Sequence, residues 1–265
     1  MNRPGPDPAP LSENLGEMFS FQMGSEAGVS RKRSRAKDLL QPYWGLRTTK
    51  ETIELEDRCR LLQLRMPPES FFSHSTAALL HGVPVPYRLA TAVLIQITTP
   101  APARAPHAAG LRGHRLTIEA DDVTEISGIR VSTQPRTWCD LASQVQLPDL
   151  VAAGDFIIRR SQDQFRVEHL DAARKRQRSP RGRSLLVRAV PLLDTRSESP
   201  QESILRVLLV EAGFTNILVN HENYTLAGEF VARTDLLLAD YNLVLEYQGD
   251  YHRKSKTQYR ADMTR

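Results

Sequence analysis

One stretch constrains this chain more than any other: Arg233-Thr-Asp-Leu-Leu-Leu-Ala-Asp-Tyr-Asn-Leu-Val-Leu-Glu-Tyr-Gln-Gly-Asp-Tyr-His252. Two apolar runs flank the polar pair Asp240-Tyr241 and read as antiparallel strands joined by a tight turn. A two-residue turn there pairs positions whose numbers add to 481, so Asp235 stands opposite Glu246 and Arg233 opposite Gln248. Side chains alternate across a strand, which puts Leu236, Leu238, Leu243 and Leu245 together on the other face, where they can anchor the hairpin on a core. Directly opposed residues hold their Cβ atoms about 4.5–5.5 Å apart, and like charges at that spacing destabilise a sheet. A divalent cation between the two carboxylates removes the cost.

Acid, acid, then a polar group two positions on is an arrangement suited to hydrolysis of phosphodiesters with Mg2+ or Mn2+. Hard cations take oxygen ligands and keep several waters, one of which can become the nucleophile. Asp235 followed by Glu246-Tyr-Gln248 resembles the Asp…(Asp/Glu)-x-Lys core of the PD-(D/E)XK nucleases, with Gln at the Lys position. The run from Glu246 to His252 is similar to very-short-patch-repair-endonuclease-like domains, which open with a Ser-Pro-x-Glu-Ser helix matched here by Ser199-Pro-Gln-Glu202-Ser203. The resemblance covers residues 196–265. It implies that Glu202, Asp235 and Glu246 hold the metal, directly or through water. It also implies that Gln248 orients the attacking water and that His252 acts as general acid or phosphate contact. Gln carries no charge, so Arg233, Lys254 or Lys256 has to compensate. Thr257 to Arg265 reads as the first turns of a further helix, so the nuclease-like sheet is expected to be C-terminally incomplete. An incomplete sheet leaves a non-catalytic DNA-binding regulator as the alternative reading.

The net charge of +4 conceals an asymmetry. Residues 31–37 hold five cations and no acid, and residues 174–188 hold seven and no acid. Setting these twelve aside leaves 23 basic against 31 acidic residues, so positive charge is concentrated in two short segments. That is the footprint of a phosphate-backbone binder, with Arg31, Lys32, Arg33 and Arg35 in the first segment and Arg174, Lys175, Arg176 and Arg178 in the second. DNA is the expected partner. Cys59 and Cys139 form no CxxC pair and read as buried small hydrophobes in a reducing cytoplasm. No run of about 18 apolar residues occurs, which speaks against a membrane span.

The N-terminal third reads as a winged helix-turn-helix. Residues 12–24 suit a short amphipathic helix, Ser30 an N-cap, Arg31 to Leu40 a second, basic helix, and Gln41 to Thr49 a β-wing. The run Gly28-Val-Ser-Arg-Lys-Arg-Ser-Arg, with the later Pro42-Tyr-Trp-Gly-Leu-Arg47, resembles AbiEi-like antitoxins and transcriptional regulators. Ser73-His74-Ser-Thr-Ala-Ala leading to Gly82, and Pro135-Arg136-Thr-Trp-Cys-Asp140-Leu-Ala, resemble further segments of the same proteins, and the resemblance admits a toxin or other protein as partner. His74 and His81 are expected to cap and pack, and Arg136 and Asp140 to pair at i,i+4. The expected architecture is α+β: a tail at 1–11, a winged-helix-like segment at 12–50, an α/β middle domain at 51–172, a basic linker at 173–195 and the endonuclease-like domain at 196–265.

Overall fold

Ile95, Ile97, Ile129 and Val131, none more than 1% exposed, are the centre of a five-stranded sheet. The structure is a computed structural model that describes residues 9–161 and 164–247. Gln248, His252, Lys254, Lys256 and the expected helix from Thr257 lie outside the described residues. The chain divides into two compact units, Met1–Gly82 with Tyr87–Asp140, and Val83–Pro86 with Leu141 onward. Helices and sheets are mixed throughout, the α+β class expected from the sequence. Among the described residues no helix is long and apolar enough to cross a membrane.

In the first unit β1 (Met18–Ser20) and α1 (Phe21–Glu26) precede β2 (Leu46–Thr48), which pairs antiparallel with β1. Then follow α2 (Leu55–Gln63), β3 (Phe71–Phe72), α3 (His74–Leu80), α4 (Tyr87–Ala90), β4 (Ile95–Pro100), β5 (Leu111–Leu116), β6 (Val123–Ile126), β7 (Ile129–Ser132) and α5 (Gln134–Leu141). The second sheet of this unit has the order β5-β4-β3-β7-β6, parallel at β4/β5 and β3/β7 and antiparallel elsewhere. Glu54 and Asp57 form a capping box that starts α2, whose Cys59, Leu61 and Leu62 point inward. Gly82 ends α3 with φ +70, the left-handed residue that a helix C-terminus favours. Both cysteines are buried and free, and burial pushes the Cys59 thiol up to about 12.

Two N-terminal expectations need correction. Residues 12–24 do not form one helix: Met18–Ser20 is extended, and the Ser20 hydroxyl caps the short α1 by accepting from the Met23 N–H at 3.2 Å. Arg31 to Leu40 is not a recognition helix either, since only a 3-10 turn, Arg33–Arg35, forms there. The Ser30 hydroxyl accepts from the Arg33 N–H at 3.1 Å, but the turn's N-cap is Lys32, not the Ser30 expected. Ala36 is already extended (φ −67, ψ 151), Arg33 grips Asp38 five residues on, and Leu40 bridges to Thr48. Cations at i,i+3 and i,i+4 repel along a helix, so a run of five favours another path. Leu46 packs in the same core as Cys59, Leu61, Phe72, Ile95 and Ile97. A segment of about 40 residues rarely sustains a core alone, and this one shares its core with the middle of the chain.

The second unit contains α6 (Leu147–Arg160), α7 (Val167–Arg176), α8 (Arg183–Ala189), α9 (Pro200–Glu211), β8 (Ile217–Tyr224), β9 (Phe230–Leu238) and β10 (Leu243–Leu245). The strands form an antiparallel sheet in the order β10-β9-β8, whose β9 packs against α9, and Val219, Leu236, Leu238 and Val207 of α9 are all buried. The stretch expected as a basic linker is instead the end of α7 and all of α8. Leu170 and Ala173, then Leu186 and Ala189, recur at a spacing of three and are buried, while the cations take the outer positions. Gly182 enters α8 at φ +78, and a Cβ there would lie 2.6 Å from the Ala142 carbonyl carbon. Gly182→Ala is therefore expected to cost about 1–3 kcal/mol from backbone strain and overpacking together, read from the urea midpoint.

Candidate functional site

The β9–β10 ladder pairs Leu238 with Leu243, Leu237 with Val244 and Leu236 with Leu245, the constant sum that the sequence predicts. The connection itself is longer than a two-residue turn: a 3-10 turn at Ala239–Tyr241 followed by left-handed Asn242 (φ 51). The Thr215 hydroxyl and the Asn216 amide donate to the Asp240 carboxylate at 3.0 and 2.6 Å and pin this turn. The paired ladder ends there, with Asp235 and Glu246 as the next residue on each side. The Asp235 carboxylate also accepts the Tyr247 N–H at 2.8 Å, so it ties down the chain just past Glu246. The leucine face buries only in part. Leu236 and Leu238 are fully buried, but Leu243 is 50% exposed, on a three-residue strand that is the outermost of its sheet among the described residues.

Glu202 reaches the same region from α9. Ser199 caps this helix by accepting from the Glu202 N–H at 3.2 Å, and Pro200 occupies its first position. The buried Glu202 carboxylate accepts from the Glu198 N–H at 2.8 Å and from the Asn220 amide at 3.0 Å. Burial raises the pKa of the Asp235 carboxyl, and the charges of Glu202 and Glu198 push it the same way, against the Tyr247 N–H and Arg233. Arg233 donates to Glu198 at 2.8 Å. Glu198 and Asn220 were invisible to motif reasoning, since neither falls in the quoted pattern.

Among the described residues, no three His, Cys, Asp or Glu side chains gather into a cage for a metal ion. Mg2+ needs no such cage, because it is commonly held by one or two carboxylates together with waters and substrate phosphates. Asp235, whose ionisation the neighbouring acids oppose, is a donor that a cation would relieve, so the residues fit this mode.

A buried clip sets the position of α9. Asp155 of α6, 1% exposed, accepts from the Ser203 hydroxyl, the Arg206 guanidinium and the Asp194 N–H, each at 2.7 Å. Burial pushes the Asp155 carboxyl up to about 6 despite Arg206. No sequence pattern marks this group, since its members come from three separated segments.

The cationic residues fall into different situations. Arg31, Lys32 and Arg35 are exposed, and Arg31 and Arg35 line a cleft of about 560 Å3 with Phe21, Gln22, Ser25 and Ser30. Arg33 is spent on Asp38, with two bonds at 2.9 and 2.7 Å, and also donates to the Ala9 carbonyl. Arg174 and Lys175 share Asp171, each at 2.6 Å, and Arg176 and Arg178 are exposed at and after the end of α7.

In the first unit, Arg136 meets both Asp122 and Asp140 at 3.0 Å. The pair expected on a helix surface is thus a buried triad; burial opposes the Arg136 charge, and the two carboxylates outweigh it. His74, at φ 54, stacks on His114 with ring centroids 3.7 Å apart, and burial, then Arg136 and Arg112, push its pKa down to about 3. His81 Nε2 lies 2.7 Å from the Ser132 carbonyl oxygen. Both histidines pack and hydrogen-bond within the fold.

No protein-family model matches the chain, and no curated protein matches it. Among solved structures the chain is similar to the Rv2827c protein from Mycobacterium tuberculosis, with a TM-score of 0.46 and 14% identity over 81% of this chain and 86% of that one. The likeness is too distant to bear on activity.

Proposed function

We propose that the protein associates with DNA and that its second unit carries a metal-dependent endonuclease-like site hydrolysing phosphodiesters. The observation that supports this most is the β9–β10 register, paired as far as Leu236 with Leu245, one position short of Asp235 and Glu246, while the charge of Glu202 bears on Asp235. Asp235 and Glu246 would hold Mg2+ or Mn2+, with Glu202 acting through water because its carboxylate already takes two hydrogen bonds. The bound ion supplies Lewis-acid polarisation and a water of lowered pKa. Gln248 would orient the attacking water, and His252 would protonate the leaving oxygen or contact phosphate. Arg31, Lys32 and Arg35, all exposed, carry the phosphate backbone.

A second reading, a non-catalytic DNA-binding regulator or antitoxin with a protein partner, has its own support: Glu202 is spent on the start of α9, and Arg233 on Glu198. Plasmid cleavage, DNA binding and thermal melting, each with and without Mg2+ or Mn2+, separate the two. Cleavage with metal-dependent stabilisation supports the enzyme. DNA binding with neither supports the regulator. Replacing Arg31 and Arg35 by Ala is expected to lower the log–log salt slope of DNA binding by about 0.9 per lost phosphate contact. Arg33→Ala, whose charge Asp38 already balances, is expected to leave that slope unchanged.

A further inference from the structure

Trp44 is 75% exposed, an unusual position for the largest side chain, and it is held in place. The Arg65 guanidinium lies over its ring, 4.9 Å from the centroid, and donates to the Trp44 carbonyl at 2.6 Å. Gly45 makes that approach feasible, for it stands at φ +75 and a Cβ there would lie 2.8 Å from Arg65 Nη1. The Gly45 carbonyl accepts from the Phe21 N–H at 2.9 Å, which ties the platform to α1. Phe21 is braced in the same way. Buried Arg47 sits 4.3 Å over its ring, fixed by bonds to the carbonyls of Ser34 (2.6 Å) and Leu46 (2.8 Å).

Two clefts adjoin at Phe21. The one lined by Arg31 and Arg35 and a second of about 450 Å3, lined by Trp44, Leu64, Arg65 and Met66, share Phe21 and Gln22. One thus offers guanidinium and hydroxyl groups suited to phosphate, and the other an indole with a cation behind it and solvent in front. An aromatic face pre-set in this way stacks on a flat π-system, and base–aromatic stacking is indifferent to base identity. Bases inside a duplex have their faces covered by their neighbours, so only an unpaired nucleotide can use it. From this we infer that the paired clefts form a site for single-stranded nucleic acid, an unpaired base stacking on Trp44 while adjoining phosphates meet Arg31 and Arg35. The inference rests on the proposed association with nucleic acid and specifies which form of it this surface takes.

The chain carries its own probe. Trp138 is fully buried, so Trp44 is the tryptophan that a ligand can quench. The full-length protein is titrated with a short oligothymidylate and with a hairpin duplex of equal length, following tryptophan fluorescence and, separately, anisotropy of end-labelled probes. The expected result is quenching by the single strand and a loss of about tenfold or more in its affinity for Trp44→Ala. Duplex affinity should change less than twofold, and Trp44→Phe should restore most of the single-strand binding. Melting temperature should not move in either variant, since the side chain is on the surface. Unchanged single-strand affinity in Trp44→Ala, with duplex binding intact, overturns the inference and leaves DNA association standing. A parent protein that binds neither probe overturns both.

Discussion

Asp235→Asn is expected to abolish metal-dependent DNA cleavage and, with it, the rise in melting temperature that Mg2+ or Mn2+ gives the parent. A cation that binds the native state alone stabilises it by about 2.7 kcal/mol at one hundred times its dissociation constant, and loss of a carboxylate ligand removes most of that. The amide keeps an acceptor for the Tyr247 N–H, so the hairpin end stays tied. In metal-free buffer the variant should be as stable as the parent or more so at neutral pH. The sign follows from the raised Asp235 pKa, caused by burial and by Glu202 and Glu198: the fold disfavours the ionised form. A raised carboxyl contributes stability that is complete below the ordinary Asp value, about 3.9, and is lost as pH rises through the folded value. The advantage of Asn should therefore vanish in acid. A variant that still cleaves DNA, or a parent that metal does not stabilise, removes the catalytic reading.

The second large effect belongs to Asp155. Asp155→Ala leaves the Arg206 guanidinium, on a side chain only 7% exposed, with its carboxylate partner gone, and strands the Ser203 hydroxyl and the Asp194 N–H as well. Breaking a buried pair from one side costs about 3–5 kcal/mol, much of it the residual uncompensated charge. Urea denaturation should show that loss for Asp155→Ala. Asp155→Ala combined with Arg206→Leu should lose less than the two single changes added together, the mark of coupled groups. Independent, additive costs would mean that the clip does not act as a unit. Because the Asp155 carboxyl is pushed up to about 6, its own contribution falls as pH rises from about 4 through 6, and Asp155→Asn should flatten that part of the stability profile.

What the sequence revealed depended on range. Strand pairing between Leu236–Leu238 and Leu243–Leu245 was legible because a hairpin is local and alternation fixes its register. The caps at Ser199 and Gly82 were legible for the same reason, since each acts on residues three or four positions away. The basic helix expected at Arg31–Leu40 failed because its charges needed a partner five residues on, and because Leu40 is drawn into a bridge with Thr48. The partition into three domains missed that Leu46 shares a core with Ile95 and Ile97, a contact about fifty residues long that no local pattern announces. The engagement of Glu202 by Asn220, and of Arg233 by Glu198, was hidden likewise. These long-range bonds decide how much of the acidic site is open to a ligand.

The turn at Ala239–Asn242 has a consequence for how such a chain can change over generations. Whether Asp235 faces Glu246 depends on the number of residues between the strands as much as on the acids themselves. A single-codon deletion in the turn that keeps Leu238 at its tip would slide β10 by one place, and a one-residue slip carries every following side chain to the other face. Both acids would survive in an alignment while their opposition was gone. For a hairpin of this kind, descendants are better sorted by loop length than by the presence of Asp and Glu.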